Sequence, residues 1–175
     1  QNGQAQAGPR AGKGVSVRPV ELWPDPRLTQ VCAPVEAPDP ALIADLFDTM
    51  YAANGRGLAA PQIGVLHRVF VVDVSWKEGA RRPQAFVNPI IRHVSEEVGT
   101  TEEQCLSIPD LPMPVTRPKT VTLDWRDASF SPQRAEFTGI EARCILHELD
   151  HLDGRVIFDH QDRASRAKLE AAYVA

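Results

Sequence analysis

His147-Glu148-Leu149-Asp150-His151 is an HExxH pattern. Residues four apart on a helix sit about 40° apart around its axis, so the two imidazoles share one face and can grip one cation. Glu148 is turned by about 100° from His147. Its carboxylate is therefore placed to reach a water on that cation rather than the cation itself, the general-base arrangement of metal-dependent hydrolases. Ile145, Leu146, Leu149 and Leu152 flank these polar residues, so the helix is expected to be largely buried. Imidazoles and a carboxylate on a buried helix need partners to offset their desolvation. A cation with its water supplies them.

Two imidazoles leave the ligand set short, because a catalytic site usually has three protein ligands and one open position. His160 and Glu170 lie downstream, but the gap from His151 to His160 does not reproduce a His-x-x-Gly-x-x-His continuation. A thiolate is the other option. Cys105 stands in Glu103-Gln104-Cys105-Leu106-Ser107, in a strand-and-turn region, and Cys144 lies one helical turn before His147. Cys144 equally suits a small apolar core position, and Cys32, close to Pro34 in an irregular stretch, reads as structural. Three cysteines make a poor disulfide framework, which points to free thiols in a reducing compartment. A further segment, Gly55-Arg56-Gly57-Leu58-Ala59-Ala60-Pro61-Gln62, is sterically open backbone that a substrate could approach closely. Gln62 offers an uncharged amide donor there.

These residues need a scaffold. The chain has 175 residues, 43% of them hydrophobic and 24% charged, which excludes a disordered polymer and fits one globular domain. A net charge of −4 lacks the basic footprint of nucleic-acid binding. No apolar run approaches the roughly 20 residues needed to span a bilayer, and the N-terminus lacks the apolar core of a secretory signal. Residues 1–14 contain no acidic residue and little that is apolar beyond alanine. They are expected to be a disordered tail, a tag or processing remnant, with a single domain over 15–175. Asp39 as N-cap, Pro40 at the first position, and Leu42, Ile43, Leu46, Phe47 and Met50 at helical spacing predict a helix that stops at Asn54-Gly55. Strands are expected at 68–74, at 85–91 with a bend at Pro89, at 94–101, at 115–125 and, weakly, at 131–137. Thr138 and Glu141 fit a capping box for the HExxH helix, with Gly154 as its stop. Residues 163–174 favour a short terminal helix. The expected fold class is α+β, with antiparallel or mixed β-sheets around a central HExxH-bearing helix, an N-terminal helix and a short C-terminal helix.

Taken together, three segments resemble the peptide deformylase family. Its glycine motif GxGxAAxQ is matched by Gly55 to Gln62, its EGxxS motif imperfectly by Glu103 to Ser107, and its HExDH motif in full by residues 147–151. The resemblance covers most of residues 16–165. It implies that Cys105, His147 and His151 bind one divalent metal ion, Fe²⁺ natively with Zn²⁺ or Ni²⁺ as substitutes, and that water takes the fourth position. Glu148 would take the proton from that water and deliver it to the departing amine. Gln62 and the backbone N–H of Leu106 would stabilise the oxyanion, and Gly57 would pair by backbone with the substrate. The implied reaction removes the formyl group from N-formylmethionyl nascent peptides and releases formate. The implied setting is the bacterial cytoplasm, with contact to the ribosome, no direct nucleic-acid recognition and no membrane.

One position departs from the motif: Gln104 stands where the family has glycine, and it is expected to narrow the substrate cleft or shift its preference. That departure leaves as an alternative a deformylase-like protein of altered range or impaired activity. Other readings are an HExxH peptidase with a third ligand after His151, and a structural zinc domain. Ile140 and Cys144 stand as candidate walls of an apolar side-chain pocket or as core residues. Arg143 is expected at the pocket rim or paired with a nearby carboxylate.

Overall fold

The computed structural model describes residues 16–173. The expected tail at 1–14 lies outside the described residues. Asp39 does cap the first helix, α1 (Pro40–Ala52): its side chain accepts a hydrogen bond from the Leu42 amide at 3.1 Å. Leu42, Ile43, Leu46 and Met50 are buried, and Asn54 ends the segment at φ +60°. The Gly55–Gln62 segment is more regular than the loop its glycines suggest. It forms a short strand, β1 (Gly57–Ala59), and a 3₁₀ turn over Ala60–Ile63.

Six further strands follow: β2 (Val69–Val72), β3 (Gln84–Val94), β4 (Val98–Cys105), β5 (Ile108–Pro118), β6 (Thr120–Arg126) and β7 (Pro132–Thr138). Five of the seven form one sheet in the order β1-β2-β3-β6-β7, and β4 and β5 form a separate two-stranded ribbon. All these ladders are antiparallel. The bend expected in β3 is real: Asn88 adopts φ +50°, and the register with β6 shifts between Val87 and Ile90. The Asn88 side chain clamps the backbone of Val35 from both sides, at 2.9 and 2.8 Å.

Two strand expectations need correction. The stretch 94–101 straddles the turn between β3 and β4, and 115–125 straddles Lys119 between β5 and β6. Apolar residues continue across both turns, so the pattern carries no break. What closes them is Ser95, whose Oγ accepts from the amides of Lys119 and Thr120, each at 3.0 Å.

The HExxH helix, α2 (Gly139–Leu152), touches both sheets. Ile145, Leu146, Leu149 and Leu152 pack with Phe70, Phe86, Leu123 and Phe137 in the core under the large sheet. Thr138 is its N-cap, but its hydroxyl makes no cap hydrogen bond, so the expected capping box does not form. With Gly139 at φ +60°, the chain enters the helix by backbone geometry instead. The other end is firmly held. The Leu152 carbonyl accepts from the Cys32 amide at 2.8 Å and from Arg68 at 3.0 Å, and Arg68 also pairs with Asp153, a cation where the helix dipole favours one. A last helix, α3 (Arg163–Ala172), closes the described chain.

Gly154 turns the chain out of α2 at φ +71°, and a Cβ there would lie 2.6 Å from the Thr29 carbonyl oxygen. Gly79 has a similar φ of +86° but open space around it. A left-handed non-glycine residue costs about 1–2 kcal/mol. Gly79→Ala is therefore expected to lose about 1 kcal/mol of unfolding free energy in urea titrations. Gly154→Ala is expected to lose more than about 2 kcal/mol, because the clash adds to the conformational cost.

Candidate metal centre

Strand and helix periodicity meet at one point. Glu103 and Cys105 are two apart on β4, so both point inward, and both are buried. On α2 the buried face carries Glu148 and His151, with His147 beside them. The ligand atoms of Cys105, His147 and His151 all lie within 4.8 Å of one another. Cys105 Sγ is 3.4 Å from His151 Nε2. Burial by itself raises a thiol, but the facing imidazoles of His151 and His147 outweigh it and bring Cys105 down to about 5. Cys144 goes the other way: burial, with Glu148 close by, holds it as a thiol. The two sulfurs left open by the sequence are thus separated by charge.

Sequence reasoning quoted Glu103 as a motif letter and missed what it does. Its Oε1 contacts His147 Nδ1 at 2.8 Å and accepts from Arg117 at 2.9 Å. Its Oε2 accepts from Arg117 and Arg143, each at 2.6 Å. Burial opposes the charge, but His147 and Arg117 outweigh it and hold this carboxyl far below the usual range. An ionised carboxylate can only accept, so His147 carries its proton on Nδ1 and keeps Nε2 free as a ligand. Arg117 also bonds Asp150 at 2.9 Å, and His160 bonds the same carboxylate at 2.7 Å. His160 therefore serves the ion-pair network, and Glu170 pairs with Arg166. Neither belongs to the ligand cluster. Period-two spacing of Glu103 and Cys105 was the available signal for Glu103; no local signal marked Arg117.

Gln62 is buried, and its amide is oriented by two bonds. Oε1 accepts from the Ala59 amide at 3.0 Å, and Nε2 donates to Ser107 Oγ at 3.0 Å while lying 3.8 Å from Cys105 Sγ. Gly57 has a steric reason to be glycine: a Cβ would sit 2.6 Å from Glu148 Oε2 and 3.0 Å from Cys144 Sγ. These groups open onto a cleft of about 570 Å³, with Leu106, Ile140, Arg143 and Cys144 in its walls. Arg143 meets both expectations, since it lines the cleft and pairs with Glu103. Cys32 is buried in the core.

The residues fit a metal ion. One thiolate and two imidazoles suit a borderline transition metal with an open position. The buried Glu148 Oε1 has no hydrogen-bond partner among the described residues, as expected of an oxygen that faces a reacting water. A thiolate from a strand end combined with HExxH on a buried helix defines a metal-dependent hydrolase in which the third ligand comes from upstream. The comparisons narrow this class. Residues 17–167 match the family described as polypeptide deformylase, and the chain belongs to that family. It is 44% identical to the peptide deformylase of Brucella suis biovar 1 over 87% of this chain and 89% of the relative. Its structure is similar to the Legionella pneumophila peptide deformylase, with a TM-score of 0.82, 36% identity and coverage of 89% and 92%. It is also similar to the Ehrlichia chaffeensis enzyme in complex with actinonin, with a TM-score of 0.83, 32% identity and 89% of this chain covered. The chain is a hydrolase that binds a metal ion and removes the formyl group from nascent peptides. The readings as a disabled relative or an internal peptidase are not favoured. No helix among the described residues is long and apolar enough to cross a membrane.

Arg117 is 3% exposed between Glu103 and Asp150. Removing one partner of a buried ion pair costs about 3–5 kcal/mol. Arg117→Met is expected to fall near the lower end, because Arg143 still serves Glu103. The loss is read from the urea midpoint at unchanged m-value.

Proposed function

We propose that Cys105, His147 and His151 hold one divalent ion, Fe²⁺ natively with Zn²⁺ and Ni²⁺ as substitutes, and that Glu148 is the proton carrier of deformylation. The observation that carries this reading is the convergence of a low-pKa sulfur and two imidazoles beside a buried carboxylate oxygen with no protein partner. When bound, the ion supplies Lewis acidity, which lowers the pKa of water and polarises a carbonyl. The remaining work falls to the chain. Burial pushes the Glu148 carboxyl up, against the lowering effect of His147 and His151. A base shifted toward neutrality can take a proton from water and return it to the departing amine. The formyl C–N bond breaks, the water oxygen stays on carbon as formate, and the amine leaves with the proton.

The formyl oxygen gains negative charge in this step. Gln62 Nε2, its direction set by Ala59 and Ser107, is assigned to it together with the Leu106 amide. Gly57, on the edge strand β1, is assigned to pair with the substrate backbone, since a peptide can add to an open edge as a strand. The catalytic unit is taken as a single domain over 15–175. The setting is taken as the bacterial cytoplasm, with the nascent chain delivered at the ribosome. The exposed Arg163 and Lys168 of α3 are the candidate contact.

Formate release from a formyl-Met dipeptide, with anaerobic metal analysis of the same sample, tests the reading. Glu148→Ala is expected to keep its metal and to lose at least about 100-fold in kcat; retained turnover would move the base elsewhere. Gln62→Leu is expected to lower kcat by about 100- to 1,000-fold with a much smaller change in KM. An unchanged kcat in the folded variant removes that amide from the reaction.

A further inference from the structure

We propose that Gln104 is a specificity-determining residue: its carboxamide binds the peptide group that follows the second residue of the substrate, so the enzyme favours formyl-peptides of three or more residues. This rests on the deformylase reading of the site. Gln104 sits between Glu103 and Cys105, both buried, yet is itself exposed and lines the cleft. Its side chain makes no hydrogen bond or ion pair with the described residues. It is also the position at which the chain departs from the glycine of the EGxxS motif. Neither packing nor an internal partner accounts for a glutamine there.

The ribbon geometry presents this side chain to an incoming strand. Glu103 pairs with Met113 and Cys105 with Ile108, so Gln104 alone faces the four-residue stretch 109–112. Pro109 and Pro112 within that stretch have no N–H to offer it. β4 has only β5 as a neighbour, and its other edge is open. A peptide extended from the reaction centre advances about 3.3 Å per residue. The group after the second residue therefore comes within reach of a side chain rooted one position from Cys105. A carboxamide carries one acceptor oxygen and two N–H donors, the complement of a peptide C=O and N–H. One net neutral hydrogen bond corresponds to a factor of about 2 to 12 in affinity.

The test compares kcat/KM for the methyl esters of formyl-Met-Ala and formyl-Met-Ala-Ser in three proteins: the unmodified enzyme, Gln104→Leu, which keeps the bulk, and Gln104→Gly, which removes it. The ratio of the longer to the shorter substrate is expected to fall about 2- to 12-fold in both variants, through KM. An unchanged ratio in both makes Gln104 a spectator and overturns the proposal. A ratio that rises in Gln104→Gly alone makes it a steric obstruction and overturns it too. Absence of formate from every substrate with the unmodified enzyme overturns the deformylase reading itself and this proposal with it. Formate from the shorter substrate without a length effect overturns this proposal alone.

Discussion

A carboxylate shut away from water must have its charge answered by the protein, and Glu103 has it answered from three directions. Arg117 grips both oxygens, Arg143 reaches one of them from α2, and His147 meets the other. Each of these contacts joins the β4–β5 ribbon to something else. Arg117 continues to Asp150, one residue before His151. Arg143 also bonds the carbonyls of Val115 and Gly99 on the ribbon. The ribbon shares no ladder with the large sheet, so its position against the helix depends on this network and on the apolar cluster of Cys105, Ile108, Met113 and Phe158. Buried ion pairs add little net stability compared with apolar packing, yet they are directional and costly to break. Directionality is what a site assembled from two separate elements requires.

The same interaction governs protonation. An ionised Glu103 leaves His147 a single tautomer, and the paired imidazoles in turn draw the Cys105 thiol down. Glu148, with the same burial but no arginine in contact, is pushed up instead. Two glutamates within one small region thus diverge because one is surrounded by donors and the other is not. One becomes a fixed anion that orients, and the other an exchanger of protons.

Much of this was legible in the sequence where the signal is local. Helical spacing, the Asp39 cap and the Gly154 stop located α1 and α2, and HExxH placed two imidazoles and a carboxylate on one helix. The third ligand was not legible from spacing, because Cys105 and His151 are 46 positions apart and no local period links a strand end to a distant helix. The ordered motifs supplied what periodicity could not. Ser95 was missed as the clasp of two turns because the apolar pattern runs through both. β1 was missed because glycines and alanines read as loop, although its narrow residues are what let the strand lie against Glu148. Arg117 carries a buried role that only the tertiary arrangement reveals, since an arginine on an alternating strand otherwise reads as a solvent-facing residue.

The chain keeps its three sulfurs in unlike states. Burial holds Cys32 up at about 11 and keeps Cys144 protonated, while Cys105 alone is brought down. Electron density offered to a cation is equally on offer to a peroxide, and susceptibility to oxidation follows thiolate character and access. Cys105 has the first in full and almost none of the second, at 4% exposure. Close packing around that sulfur therefore acts as a shield as well as a mould. Any loosening of the ribbon that widened access would convert the chain's most useful atom into its most perishable one.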